Sequence, residues 1–477
     1  MIFNSFEFLF FFPIVTTLYF ILPFKFRWIL LLTASCIFYM FFVPVYILIL
    51  LVTILIDYFA AIYIAKSTGR KKKIYLAASI ISTCLVLFVF KYFNFFNDNF
   101  ALIAKAAHWN YPIHALKILL PIGLSFHTFQ SLSYVVEVYR GNQKPETHFG
   151  IYSLYVMFYP QLVAGPIERP QNILYQFYEK HKFDYDNVVY GLKLMLWGYF
   201  KKIVIADRLS IYVNSVYNNQ SHHNGTTLFI ATIFFAIQIY CDFSGYSEIA
   251  IGSARVMGFK LMTNFNRPYF AKSVSEFWKR WHISLSTWFR DYVYIPLGGN
   301  RVIKPLVYFN LFITFLLSGL WHGANWTYVI WGGLNGLYLL IGLSLHNLKS
   351  GIRHQVNKYH IEKLDTFINI VITFVLILFS WIFFRANNIN DAKEIIIKII
   401  FNRGPLFVDS IRDMAMSIFF TLILLLTEFF EEYKVFNKLS LYNNKFSLVR
   451  YATYCAIIIA IVLFGAFDGS QFIYFQF

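Results

Sequence analysis

The chain has 477 residues, 58% of them hydrophobic, 21% aromatic and only 14% charged, with a mean hydropathy of +0.56; an ordinary soluble chain carries roughly 25% charged residues. That composition excludes a soluble globular domain and predicts an all-α, polytopic integral membrane protein. The formal net charge of +17 is spread over the loops between apolar runs, which argues for contact with membrane lipid at the inner leaflet and against nucleic-acid binding.

In chain order, uncharged apolar runs long enough to span a bilayer, about 17 to 25 residues each, occupy 8–24, 28–56, 74–90, 118–136, 149–167, 305–348, 366–384 and 451–467. The runs from Trp28 and from Pro305 are each long enough for two spans, with Val43-Pro44 marking the turn in the first. Shorter candidates lie at 187–200, 226–241 and 414–427, so about ten to thirteen transmembrane or re-entrant helices are expected. No internal repeat is visible, and the longest polar intervals are loop-sized. Residues 1–477 read as one membrane domain.

Residues 1–8 have no basic n-region and no small-residue cleavage site follows, so the first helix is expected to stay. Lys25 and Arg27 follow that helix, and Lys66 and Arg70 to Lys73 follow the third. The excess of cations places both loops in the cytoplasm and the N-terminus outside. Cys36, Cys84, Cys241 and Cys455 are far apart, with no CxxC pair and no metal-ligand spacing, so free, buried thiols are expected and no metal. His222, His223 and His354 sit in polar connections and read as solvated loop residues.

Two stretches carry chemistry: 277–301, FWKRWHISLSTWFRDYVYIPLGGNR, and 318–326, SGLWHGANW. A titratable side chain within lipid or packed protein is by default a hypothesis about function, and imidazole is the side chain suited to proton transfer near neutrality. At about 100° per residue, Trp278, Trp281, His282, Leu285 and Phe289 share one helical face, while Lys279, Arg280, Thr287 and Arg290 take the others. His282 is either a catalytic residue or a structural, hydrogen-bonded one in an aromatic setting. Residues 294–300, with Pro296 and Gly298-Gly299, must end that helix.

His322 is the one strongly titratable side chain of the 305–348 run before His346. Gly319, Gly323 and Ala324 remove bulk around it, so a second backbone or an elongated acyl substrate can approach. Asn325 is placed to orient a neighbouring group. The motif at 242–248, DFSGYSE, brings Asp242, Ser244, Tyr246 and Glu248 after an apolar run and near the membrane. Its carboxylates either polarise a histidine or bind a sugar, or they pair with Arg255, Lys279 or Arg280 to fix helices. Gln161, Glu168 and Arg169 around Pro166 either line the way in or form a capped turn at the interface. Asp242, Ser244, Tyr246, Glu248, Trp278, Trp281 and Asn325 are the candidate substrate-binding residues.

Five segments in order then carry a resemblance: 120–141 (LPIGLSFHTFQSLSYVVEVYRG), 159–170 (YPQLVAGPIERP), 238–258 (QIYCDFSGYSEIAIGSARVMG), 264–301 and 318–326. The chain resembles the membrane-bound O-acyltransferases, in their bacterial alginate O-acetyltransferase-like branch. The resemblance implies a multi-helix fold around a central acyl-transfer tunnel, with the acyl donor approaching from the cytoplasm and the acceptor from outside. It implies that His322 matches the family's catalytic histidine and His282 its second motif histidine. His127 stands where the family usually has an aromatic residue, which either tunes the pocket or is a packing variation.

The expected reaction is acetyl transfer from an acyl thioester, most simply acetyl-CoA, to hydroxyls of an exported or cell-envelope polysaccharide at the bacterial cytoplasmic membrane. No bound cofactor is implied. His322 would be the general base, and His282 would orient a substrate or donate a ring N–H to the oxyanion. No Gly-x-Ser-x-Gly elbow or Cys-His arrangement favours an acyl-enzyme. The branch also implies a separate extracytoplasmic acyltransferase partner. D-alanyl transfer toward teichoic acid is the alternative within the family. A lipid-linked sugar transporter or a non-catalytic envelope scaffold is the alternative from another class.

Overall fold

The computed structural model describes residues 1–116, 118, 120–163, 165–345, 362–434 and 446–467; His346 and His354 lie outside them. Among the described residues all regular structure is helical. The longer helices, in order, are α1 (Phe6–Ile21), α2 (Phe24–Met40), α3 (Ile47–Lys66), α4 (Gly69–Leu87), α5 (Phe93–Ala106), α6 (Leu124–Arg140), α7 (Phe149–Met157), α8 (Tyr185–Tyr199), α9 (Asp207–Tyr217), α10 (Gly225–Val256), α11 (Val274–Arg280), α12 (Ile283–Phe289), α13 (Lys304–His322), α14 (Trp326–Ser344), α15 (Glu362–Arg385), α16 (Ile389–Phe401), α17 (Ile411–Glu432) and α18 (Ser447–Phe464). Eight helical stretches among the described residues are long and apolar enough to cross a membrane, and α1 is a shorter apolar helix. The protein is a multi-pass, all-helical membrane protein.

Two expected spans change shape. The 149–167 run is not one helix: α7 stops at Met157, and a single turn, Tyr159–Leu162, follows it. Pro160 lacks an amide donor and Pro166 and Pro170 repeat the break, so the run cannot hold a continuous helical ladder. Conversely, the short 226–241 candidate extends through the acidic motif to Val256, so Asp242 and Glu248 lie within a helix rather than beyond its end. The 28–56 run divides into α2 and α3 around Val43-Pro44, as expected.

The chain forms two compact units: Met1–Met195 with Tyr246–Met262, and Leu196–Gly245 with Thr263–Phe477. In the first, α3 packs on α4 and α6 around fully buried polar groups. The Asp57 carboxylate accepts hydrogen bonds from Ser79 Oγ at 2.6 Å and Thr83 Oγ1 at 3.1 Å. His127 lies with Nε2 2.5 Å from Thr53 Oγ1. Such pairing satisfies polar groups that lipid or packed protein could not solvate. Gln130 and Gln161 both donate to the Tyr155 carbonyl. Buried Glu168 accepts from the Met262 amide and from Asn172 Nδ2, so the 161–169 segment is a tied turn.

The second unit is built on tryptophan. Trp281 packs against Trp381 at 5.2 Å between ring centres, Trp331 stacks on Trp381 at 5.8 Å, and Trp278 meets Trp331 edge-on at 5.6 Å. Aromatic pairs at such separations add about 0.5–1.5 kcal/mol each beyond area burial. The α13–α14 pair closes through Gly319 and Gly332: a Cβ built on Gly319 would lie 2.3 Å from the Tyr328 carbonyl oxygen and 3.0 Å from Gly332 Cα. Gly319 therefore admits another backbone, while a Cβ on Gly323 would lie 2.1 Å from the Tyr328 ring. None of the four cysteines is in a disulfide, but only Cys241 is buried; Cys84 and Cys455 are exposed and Cys36 is intermediate.

Candidate functional site

His282 does not sit on a continuous helix. α11 ends at Arg280, Trp281 is extended, and His282 takes a left-handed conformation (φ 42°, ψ 55°) as the residue that starts α12. The one-face arrangement of Trp278, Trp281 and His282 with Leu285 and Phe289 is therefore replaced by two short helices with a break between them. A left-handed conformation costs a residue with a Cβ about 1–2 kcal/mol, so surrounding contacts must hold it. Asn264 and Asn266 supply them: the Ile283 amide donates to the Asn264 carbonyl at 2.9 Å, and the Asn266 amide to the Arg280 carbonyl at 2.9 Å.

The Asn264 side chain completes the brace. Its Oδ1 accepts from the Ser284 amide at 3.3 Å and from Ser284 Oγ at 3.0 Å, and lies 3.0 Å from His282 Nδ1. A backbone N–H can only donate, so the atom it meets is the amide oxygen and His282 Nδ1 must carry the proton. Complete burial holds this imidazole well below the ordinary histidine range, so the ring is neutral at pH 7 with its lone pair on Nε2. The ring N–H expected for an oxyanion is thus directed at Asn264.

His322 is the last residue of α13 and is 4% exposed. Its ring is walled by Trp321 at 4.8 Å, Trp331 at 5.0 Å and Phe384 at 5.4 Å between centres. Trp321 also lies 6.4 Å from the His282 ring, so one indole packs on both histidines. The second unit brings the two imidazoles into one aromatic cluster.

The other candidates divide. Trp278 and Trp281 belong to this cluster and are buried in it. Asn325 caps α14, accepting from the Thr327 amide at 3.1 Å while its Nδ2 donates to the Asn387 carbonyl at 3.0 Å. Asp242 meets Lys202 Nζ at 2.7 Å, and the same ammonium meets Asp207 at 2.7 Å, all three side chains being at most 4% exposed. The partner of Asp242 is therefore Lys202, not Arg255, Lys279 or Arg280, because the helix continues through the motif and turns the carboxylate into the protein. Arg280 instead bridges Glu276 at 2.6 Å and Glu432 at 2.8 Å. Ser244 is buried in the second unit. Tyr246 and Glu248 belong to the first unit, where Tyr246 donates to Asn4 Oδ1 at 3.0 Å. His127 packs there too, against Thr53.

Sequence reading missed roles for Asn264, Lys202 and Asp207. The available signals were Lys201-Lys202 embedded at the end of an apolar run, and an asparagine before the histidine segment whose partner 18 residues on is invisible to helical periodicity.

Residues 147–390 match the family model described as membrane-bound O-acyltransferase. The probable alginate O-acetylase of Pseudomonas aeruginosa is 39% identical over 82% of this chain and 73% of its own length. The peptidoglycan O-acetyltransferase of Helicobacter pylori is 36% identical over 83% of this chain and 79% of its own. The teichoic acid D-alanyltransferase of Bacillus subtilis is 26% identical over 68% of this chain and 81% of its own.

Proposed function

Because the chain belongs to the membrane-bound O-acyltransferase family and is thereby an integral membrane O-acyltransferase, we propose that it moves an acetyl group from a cytoplasmic thioester, most simply acetyl-CoA, to hydroxyls of an exported or cell-envelope polysaccharide. The observation that carries this reading is the pair of buried imidazoles, His282 and His322, sharing the Trp321 ring. Acetyl is preferred to D-alanyl because relatives at 36% and 39% identity bear O-acetylase names, against 26% for the D-alanyltransferase. The working location is the bacterial cytoplasmic membrane, with the N-terminus outside as the loop cations imply.

In the proposed reaction an acceptor hydroxyl attacks the thioester carbonyl while His322 takes its proton. The tetrahedral oxyanion then collapses to the ester. The leaving thiolate recovers the proton from the His322 imidazolium, so an ester and a free thiol are the products. His282, neutral and presenting Nε2, accepts a neighbouring hydroxyl of the sugar and orients it. A relay in which a separate extracytoplasmic acyltransferase completes delivery to the glycan uses the same first steps.

The test is ester-linked acetate on purified envelope and exported glycan from cells carrying the wild type or His322→Ala at equal membrane abundance. Loss of acetate is expected, and the fraction that loses it identifies the acceptor. Equal acetate in both would overturn the assignment; loss of esterified D-alanine instead would move the donor to the D-alanyl class.

A further inference from the structure

The turn between α3 and α4 carries five cations in eight residues, Lys66 and Arg70 to Lys73, and the chain has no acidic residue between Asp57 and Asp98. Among the described residues none of the five forms an ion pair. Lys72 reaches α6, its Nζ lying 5.0 Å from the centre of the Tyr139 ring, and the other four are exposed. Helix stability does not account for the cluster. α4 opens on these cations with no acid in its first turn and no side-chain cap from Thr68, and cations at a helix N-terminus oppose its dipole.

Helical spacing joins two of these cations to an outward apolar surface. On α3, Leu55, Phe59, Tyr63 and Lys66 share one face, and on α4 so do Arg70, Ile74 and Ile81. The apolar members are between 36% and 65% exposed. The opposite faces turn into the first unit, where Ser79 and Thr83 of α4 donate to Asp57 of α3. Tyr63 and Tyr75 stack at 5.5 Å between ring centres and tie the two helices together about one turn from the cations, as tyrosines do at a membrane–water boundary. Both helices belong to stretches apolar enough to cross a membrane. An occupant of this surface meets cations at one end and an apolar wall along its length, with the lysine and arginine stems lying on that wall. That is the build of a phospholipid with a net negative headgroup; an acidic protein would use only the cations.

We propose that this end of α3 and α4 is a binding site for an anionic phospholipid, with the headgroup held by Lys66 and Arg70 and the acyl chains laid against Phe59, Tyr63 and Ile74. The leaflet is the cytoplasmic one, as the loop cations imply. A cation that only sets topology is indifferent to lipid type, whereas this site discriminates headgroup charge. The inference is independent of the acyl-transfer reading.

The full-length chain, purified in detergent, is offered equal amounts of phosphatidylglycerol and phosphatidylcholine with identical acyl chains, and the retained lipid is counted by native mass spectrometry. Each cation at an anionic surface strengthens attachment about 5-fold, so the wild type is expected to retain phosphatidylglycerol over phosphatidylcholine by about 10-fold or more. Lys66→Gln combined with Arg70→Gln should lower that ratio by about 10-fold. The melting temperature of this pair should hold or rise, because the dipole of α4 no longer meets Arg70. Lys66→Arg combined with Arg70→Lys should keep the ratio. Lys180→Gln combined with Lys182→Gln removes the same charge from a loop of the first unit that also holds Glu179, Asp184 and Asp186, and should leave the ratio within about 2-fold. No preference in the wild type, or an equal fall in both glutamine pairs, would overturn the proposal. Displacement of phosphatidylglycerol by inorganic phosphate would also overturn it, by showing an anion site with no use for acyl chains. A preference left intact by Lys66→Gln and Arg70→Gln, while that pair loses binding to a purified acidic carrier protein, would overturn it in favour of a protein partner.

Discussion

His282 Nδ1 lies 3.0 Å from the Asn264 side-chain oxygen, and that oxygen also receives the amide and hydroxyl of Ser284. One amide thus fixes the tautomer of a buried histidine and holds a left-handed backbone that an unsupported side chain would leave. Removing it should be felt in catalysis more than in folding. Asn264→Ala is expected to lower the turnover number of acyl transfer about 100-fold, within the range for a misplaced proton-handling group. Asn264→Asp, which keeps an acceptor opposite Nδ1–H, should recover part of that activity and raise the pKa seen in the pH–rate profile. A variant with wild-type turnover would separate Asn264 from the reaction.

His322 and His282 are expected to differ in kind. His322→Ala removes the base and should lower turnover by about 10²–10⁴-fold. His282→Ala should also raise KM for the acceptor, because it removes an orienting contact. Steady-state kinetics with a soluble acceptor oligosaccharide distinguish the two; equal effects on both parameters would assign them one shared role.

Lys202 holds Asp207 and Asp242 at 2.7 Å each. Lys202→Met deletes the ammonium and leaves two carboxylates facing each other in a buried setting. The expected cost is about 3–5 kcal/mol, read as a lower unfolding temperature in detergent and reduced abundance in membranes. Asp242→Asn keeps Lys202 paired with Asp207 and should cost less. If Asp242→Asn instead abolished transfer at unchanged stability, the carboxylate would be a substrate contact after all.

Glu168 gives a pH prediction. Burial pushes its carboxyl up to about 7 from 4.5, against the hydrogen bonds from Met262 and Asn172. Between those two values the folded chain holds a proton that the unfolded chain has released, so stability falls as pH rises from about 4.5 to about 7 and then levels. Glu168→Gln removes this slope. The variant should match the wild type near pH 4 and exceed it above pH 7 by about 3 kcal/mol, at 1.36 kcal/mol per pH unit. Parallel melting curves from pH 4 to 8 check this; curves offset by a constant would show that folding leaves the Glu168 pKa unshifted.

Hydropathy is additive along the chain, so the sequence by itself determined the membrane class, the all-helical fold, most spans and the two embedded histidines. The 149–167 run failed because hydropathy does not register missing amide donors at proline. The 226–241 run was cut short because Asp242 looked like an exit from the membrane, while a lysine 40 residues upstream neutralises it inside the protein. The break at Trp281-His282 leaves no mark in an amphipathic stripe, since it depends on backbone hydrogen bonds with the loop at Asn264 to Asn266. Which nitrogen of His282 bears its proton and what pairs with Asp242 were decided only by the tertiary structure. A hydrogen bond or ion pair depends on distance and direction between groups far apart in sequence, and no local pattern encodes either.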